Sequence, residues 1–434
     1  MFEVRGVWGG PRLCGTTRET VAKYLDKLQA HGFNAVYVNL KGGDGSLFWP
    51  SARFPQCVAK GYGQFDLPAV LLEECRKRGI QAHAWMIDFC EGEQGAAFRE
   101  HPDWAMRDPN GNTTADEMLR GKRWGPVWMC PARRPGYTDQ WLVPIYEEFA
   151  SRYEFDTLHH DYVRYPGDAA PDRYCFCDYC LQEIPKWAGY FSERFPEEPF
   201  LHESYDRGYL EAHWEQSPRV LPESWGPPVR SRRHPPRTAR QETQKGELNQ
   251  GLPRTFQAGF LLEGSFFPGG RRDLDYFFYS YRTHWIGRFA REAREAVQRA
   301  NPKVGISAAV FKNPIHSGRF IGQDWRNFAP YVDVAIPMNY RDHFPGTFDQ
   351  YLELLEETIA RQKEWAADFQ ALYCGIAVNF LFKEEPDGPY PQEKLMRAIE
   401  RVASAGAPGI VIFCDDQLDR YGMWETAKTA FEGV

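Results

Sequence analysis

The sequence predicts an α/β fold: a (β/α)8 TIM barrel with one large insertion after its fourth strand. Three observations point there. Eight short apolar runs are spaced along the chain with amphipathic helical patterns between them, and that alternation builds a parallel sheet covered by helices. A doubly wound sheet usually needs fewer strands and a glycine-rich phosphate turn, yet no GxGxxG or Walker pattern follows any run. The spacing breaks once, where about 140 residues separate the fourth run from the fifth, far more than one crossover helix takes up.

The candidate strands are Glu3–Trp8, Ala35–Leu40, Gln81–Ile87, Thr157–Tyr162, Val304–Val310, Val332–Met338, Leu372–Val378 and Gly409–Phe413. Between them, Thr17–Ala30 carries Val21, Tyr24, Leu25 and Leu28 at helical spacing, and Leu67–Arg78, Gln140–Tyr153, Tyr281–Ala300, Phe348–Trp365 and Pro391–Ala405 read the same way. Gly32, Gly79 and Gly406 stand just after helices, where a left-handed cap is wanted. The whole chain, 1–434, is expected to be one barrel domain. Its insertion, 167–280, includes an irregular loop at 219–254 rich in Pro, Arg, Gln and Ser, placed over or beside the barrel mouth. The aromatic and acidic stretch Phe256–Tyr281 follows it and is expected mainly to pack, with some rings lining a cleft.

Composition bounds the function classes. A formal charge of -7 argues against non-specific nucleic-acid binding. No apolar run approaches the length of a membrane span. The stretch Met1-Phe2-Glu3-Val4-Arg5 reads as strand and shows no leader pattern. The expectation is a cytoplasmic protein, or a secreted one whose signal the sequence omits. Ten cysteines are too few for a disulfide scaffold in a chain of this size. The 14 Trp, 22 Tyr and 30 Phe mostly fill a core, but Trp and Tyr near strand ends also suit stacking on sugar faces.

The segment Phe155-Asp156-Thr157-Leu158-His159-His160-Asp161-Tyr162-Val163-Arg164-Tyr165-Pro166 stands out. A short apolar run ends in two His, an Asp and an Arg before a Pro-Gly turn, as strands do where they open into a barrel mouth. Residues just past the other strand ends are Trp8, Asn39, Lys41, Trp85, Asp88, Lys312, Asn339, Tyr340, Asp342, Asn379, Asp415 and Asp416. Carboxylates and amides hydrogen-bond hydroxyls in pairs, so this inventory fits a polyhydroxylated substrate. Glycoside hydrolysis needs two carboxylates across the scissile bond. Asp161 is the first candidate, with His160 and Arg164 near enough to tune its pKa. Asp88, Asp342, Asp415 and Asp416 compete to be its partner, and Asp342 and Asp415 are carried forward. Trp8, Asn39, Lys41, Trp85, Asp88, His160, Arg164, Asn339, Tyr340 and Asn379 are the candidate substrate contacts.

Gly-x-Ser-x-Gly is absent, and the histidines lack His-x-His or His-Glu-x-x-His spacing. Adjacent His159 and His160 must point to opposite faces of a strand, one toward the barrel interior and one toward the helices. Tyr174-Cys175-Phe176-Cys177-Asp178-Tyr179-Cys180 places three thiols in tight C-x-C-x-x-C spacing. Such spacing lets one metal ion take three thiolates, and Cys130 is a candidate for the fourth ligand of a structural zinc. No organic cofactor is expected.

These residues carry a likeness. The chain resembles the glycosyl hydrolase 10-like family of barrel proteins. Glu3-Val4-Arg5-Gly6-Val7-Trp8 is similar to the family's opening strand and Gly32-Phe33-Asn34-Ala35-Val36-Tyr37 to its second. Ala82-His83-Ala84-Trp85, His101-Pro102-Asp103-Trp104 and Arg107-Asp108-Pro109-Asn110-Gly111 resemble the third-strand region. Asp156 to Pro166 resembles the fourth strand, with His160 in place of the usual Phe and Tyr162 in place of a second Asp. Tyr331-Val332-Asp333-Val334 and Pro337-Met338-Asn339-Tyr340 resemble the sixth. The resemblance implies a carbohydrate-active hydrolase with Asp161 catalytic, bacterial cell-wall glycan being one associated substrate class. The insertion and the cysteine cluster depart from the family pattern. The cluster is similar to the zinc-binding cysteines of some barrel β-galactosidases, which favours Cys130 as its fourth member.

The leading expectation is therefore a glycoside hydrolase using carboxylate acid/base catalysis on an oligo- or polysaccharide. A non-catalytic carbohydrate-binding barrel is the alternative, and a metal-dependent hydrolase or lyase using His83, His159 or His160 is a third. The expected partner is a carbohydrate, without nucleic acid or membrane, and a homo-oligomer is admitted.

Overall fold

The computed structural model describes residues 2–108, 110–116, 127–167, 174–183, 271–366 and 368–434, with backbone alone over 271–278. Eight parallel strands form the barrel: β1 (Val4–Gly9), β2 (Ala35–Lys41), β3 (Gln81–Ile87), β4 (Thr157–Asp161), β5 (Gly305–Phe311), β6 (Val334–Met338), β7 (Cys374–Ala377) and β8 (Gly409–Phe413). Each pairs with the next, β8 pairs back onto β1, and Gly375 opposite Met338 joins β7 to β6, so the sheet has no open edge. The two-residue strand Ala371–Leu372 extends that seam along β6. Closure explains the composition of the runs, because strands covered on both faces have no polar side.

Among the described residues, eight helices of eight residues or more cover the barrel: α1 (Arg18–Ala30), α2 (Leu67–Arg78), α3 (Val143–Arg152), α4 (Arg271–Ala300), α5 (Pro314–Ile321), α6 (Phe348–Trp365), α7 (Gln392–Ser404) and α8 (Trp424–Glu432). Thr17 and Thr347 close capping boxes at the starts of α1 and α6, and Gly79 ends α2 in the left-handed conformation at φ +64°. Between β3 and α3 a two-stranded antiparallel ribbon, Cys90–Glu91 with Val127–Trp128, stands above the barrel. Helix α4 begins inside the expected insertion, whereas the loop 219–254 and most of Phe256–Tyr281 lie outside the described residues. No helix among the described residues is long and apolar enough to cross a membrane.

Two apolar layers result. The larger lies between strands and helices, and the smaller fills the barrel itself with Trp8, Tyr37, Ile336 and Val411 among others. Gly375 makes the interior possible: a Cβ there would meet the Pro337 carbonyl at 2.9 Å and the Trp8 indole at 3.1 Å. Beneath the mouth runs a buried polar chain. Trp8 Nε1 donates to His159 Nε2 (3.1 Å), and His159 Nδ1, Ser307 Oγ, Thr157 Oγ1 and His83 Nδ1 follow at 2.9, 2.7 and 2.8 Å. An indole N–H only donates, so one direction of donation, starting at Trp8, satisfies every link. Burial holds His159 well below the usual imidazole range and His83 down to about 4, which keeps both rings neutral.

Candidate active site

Asp161 ends β4 on the interior face and is 8% exposed. Its Oδ2 accepts from Trp85 Nε1 at 3.1 Å and its Oδ1 from the backbone N–H of Tyr162 at 2.7 Å. Tyr162 reaches that position with a left-handed φ of +55°, alone among the described non-glycine residues. An aromatic residue in this region costs roughly 1–2 kcal/mol, and such strain collects at functional sites. Burial pushes the Asp161 carboxyl up to about 6, against the opposing pull of the Arg164 guanidinium and the two N–H donors.

Around Asp161 the mouth is rimmed by rings in continuous contact. Trp85 meets the edge of Phe413 at 6.3 Å, Phe413 stacks on Tyr340 at 5.9 Å, Tyr340 on His343 at 5.5 Å, and His343 on Phe311 at 5.4 Å. Phe311 then forms one wall of a slot for Arg164, whose guanidinium lies 5.1 Å from its centroid, 5.1 Å from Trp128 and 4.6 Å from Tyr162. Each such contact contributes about 0.5–1 kcal/mol at an exposed site and more when desolvated. Among the described residues Arg164 has no carboxylate within salt-bridge distance, and its only hydrogen bond is a long one of 3.5 Å to the Tyr165 carbonyl. Its donors are therefore largely uncommitted. Asp342 sits beside His343, 4.0 Å from the imidazole, with 30% of its side chain exposed. Both Asp161 and Asp342 raise the Tyr340 phenol, burial being the larger cause, so both carboxylates lie in its neighbourhood.

The structure thus gathers Trp85, Asp161, Arg164, Tyr340 and Asp342 at the mouth. Trp8 lies just below, fully buried, and Asn39 is half-buried there with its amide donating to the Lys41 and Trp85 carbonyls at 2.9 and 3.3 Å. Asn379 follows β7 in the short helix Val378–Leu381, half-buried. Lys312, half-buried and held below the usual amine range by burial, lies 3.5 Å from the Phe344 ring centroid. Asp416 faces solvent and pairs loosely with Arg12 at 3.4 Å.

Five candidates turn away from the mouth, a correction to the expected contacts. Lys41 is buried, donating to the Ile87 carbonyl at 2.7 Å and pairing with Glu91 at 3.2 Å. Asp88 is buried and accepts from Tyr146 of α3 at 2.6 Å, with His160 Nδ1 at 2.9 Å. His160 points into the helix layer, packed between Tyr146 and Phe289. Asn339 forms a reciprocal amide pair with Gln362 of α6 at 3.0 and 2.8 Å. Asp415, 1% exposed, accepts from Tyr24 of α1 at 2.9 Å, Gly10 N at 3.2 Å and Asp416 N at 2.7 Å. Burial raises its carboxyl to about 7, yet it latches β8 and β1 to α1. His83, His159 and His160 do not gather as metal ligands: His83 and His159 stand at different points of the buried polar chain, and His160 pairs with Asp88.

Several mouth residues escape a reading confined to positions after strand ends. Phe311 and Phe413 are the last residues of β5 and β8 and share the interior phase of Ala309 and Val411, a signal available in the alternation. Trp128 and His343 come from connecting segments and carried no such signal. The four thiols of Cys130, Cys175, Cys177 and Cys180 converge within 4.8 Å behind the Trp128 wall.

The closed parallel barrel is shared with known proteins. Residues 3–183 match the family Glycosyl hydrolase-like 10. The glycosyl hydrolase-like 10 match covers β1 to β4, Asp161, Arg164 and all four clustered cysteines. The chain is 27% identical over 169 residues to Glycosyl hydrolase DigH of Escherichia coli, and 27% over 174 residues to Glycosyl hydrolase YngK of Bacillus subtilis. Each match spans 36% of this chain, and 37% and 31% of those relatives, so about a third of their length. Among solved structures, the PgaB (BpsB) glycoside hydrolase domain from Bordetella bronchiseptica superposes with a TM-score of 0.61 at 15% identity over 98% of both chains. A β-galactosidase from Halorubrum lacusprofundi gives 0.59 at 13% identity, over 99% of this chain and 58% of that one. Those two likenesses establish the fold.

Proposed function

We propose that this protein is a glycoside hydrolase that cleaves O-glycosidic bonds of an oligo- or polysaccharide, with Asp161 as the proton-transferring carboxylate. The observation that carries the reading is the state of Asp161. A carboxyl held at about 6 retains a protonated fraction near neutrality and still exchanges its proton readily, as a general acid or base must. Trp85 and the Tyr162 N–H each bond one oxygen, so the carboxyl is held in one orientation. Asp342 is the candidate second carboxylate, on the strength of its partial exposure and its nearness to His343 and Tyr340. The Arg164 donors would hold sugar hydroxyls, and Trp85, Tyr340 and Phe413 offer apolar faces for pyranose rings. The matched family and the printed names of the relatives support the same class of chemistry.

The test is a screen for released reducing ends across glycans with the wild type and Asp161→Asn. Turnover should fall by about a hundredfold or more in the variant while the fold persists, because acid/base assistance alone supplies about 10²–10⁴. Equal turnover removes Asp161 from catalysis. Saccharide binding by both proteins without any released ends would instead establish a binding barrel.

A further inference from the structure

We propose that Cys130, Cys175, Cys177 and Cys180 form a structural tetrathiolate site for one zinc-class divalent ion, which fastens the mouth wall to the segment leaving β4. The geometry is that of a coordination sphere. Four thiolates at about 2.3 Å from a tetrahedral zinc stand about 3.8 Å from one another. Cys130 Sγ lies 3.6 Å from Cys180 Sγ and 3.8 Å from Cys177 Sγ, and all four sulfurs lie within 4.8 Å. A disulfide would need a separation of about 2.05 Å, and all four thiols are free. Every one is buried, so four soft donors face one another in a space closed to water.

The surroundings are built for sulfur that carries charge. The Cys177 N–H points at Cys175 Sγ at 3.4 Å, and the Tyr281 hydroxyl points at Cys180 Sγ at 3.5 Å. Donors outside the ligand set orient and stabilise thiolates. Binding releases four protons, one per thiol, and leaves a complex of net charge −2. The buried Arg282 guanidinium lies close by, donating through Nε to the Tyr174 carbonyl at 2.9 Å, and offsets part of that charge.

The placement gives the ion its purpose. Cys130 stands two residues beyond Trp128, which walls the Arg164 slot, while the other three ligands follow β4 and Tyr281 belongs to α4. One ion would tie these three stretches together. The site is structural, because four protein ligands leave no position open for substrate or water.

The experiment uses the full chain, purified reduced and without chelator. Elemental analysis is expected to find one zinc per chain. Exchange for cobalt(II) is expected to give the thiolate charge-transfer absorption and the strong visible bands of a tetrahedral sulfur site. Cys130→Ser is expected to lose the metal on gel filtration, while Cys374→Ser, a buried thiol outside the cluster, keeps it. Cobalt spectra of the wild type report on the site even where a cysteine variant does not fold. Less than about a tenth of an equivalent after incubation with zinc, or an octahedral cobalt spectrum, overturns the proposal. Because metal content is read without any substrate, failure here is separable from failure of the glycosidase reading.

Discussion

The raised carboxyl of Asp161 makes a prediction that needs no substrate. Its folded value of about 6 stands above the ordinary 3.8, a difference of about 2.2 units, or about 3 kcal/mol. Between those two values the folded chain holds a proton that the unfolded chain has released. Stability therefore falls as pH rises through this window, and the full cost is present above pH 6. Integrating the linkage, about 2 kcal/mol of that cost develops between about pH 4.5 and 7.5. Asp161→Asn removes the titration and keeps the shape. One of its amide N–H groups must face either Trp85 Nε1 or the Tyr162 N–H, which costs about 1–3 kcal/mol at every pH. The informative quantity is thus the slope. Urea unfolding at several pH values should show the variant gaining about 2 kcal/mol on the wild type across the window. Asp415, also raised, to about 7, contributes equally to both proteins and cancels. A difference that does not change with pH would mean that Asp161 titrates as an ordinary carboxylate, and the catalytic reading would lose its main support.

Two further outcomes follow from single contacts. Arg164→Gln removes the cation that draws the Asp161 carboxyl downward, so the limb of the pH–rate profile owed to Asp161 should move to higher pH, with KM raised about tenfold or more as charged donors are lost. An unmoved limb would show that Arg164 is not its electrostatic partner. Gly375→Ala places a methyl 2.9 Å from the Pro337 carbonyl and 3.1 Å from Trp8, which should cost about 1–3 kcal/mol and lower the urea midpoint. An alanine that raised the midpoint, as relief of glycine's backbone entropy would, would mean that the β6–β7 seam is looser than described.

The barrel was legible because both faces of its strands are buried. That leaves continuous apolar runs whose ends are marked by turns, and all eight were expected within a few residues of their observed bounds. Helices α2 and α6 were expected at their observed limits, since Asp66, Thr347 and Gly79 punctuate them in the chain itself. The start of α3 was less readable. A π-turn at Thr138–Leu142 widens the first turn, so the apolar spacing there does not keep the α-helical period. Helix α8 and the short helix Asp415–Tyr421 went unread, having too few turns to establish a period of their own.

The site was legible only as far as strand parity was applied. Trp8, Trp85, Asp161 and Tyr340 share the interior phase of their strands, and all reach the barrel axis or its mouth. Asp88, His160 and Asn339 stand one residue out of phase, and all three serve the helix layer. Alternation alone would have separated these two groups. Lys41 required more, because it has the interior phase of Tyr37 and Asn39 yet turns outward. The register between β2 and β3 shifts between Asn39 and Lys41, and one extra residue in a strand reverses every side chain beyond it. Asp415 likewise has the phase of Val411 and Phe413, but a helix begins at that residue and period two ends with the strand. Polar residues after barrel strands therefore sort into mouth and scaffold by phase, corrected for bulges and helix starts. That sorting leaves Asp161 as the buried carboxylate on the interior side.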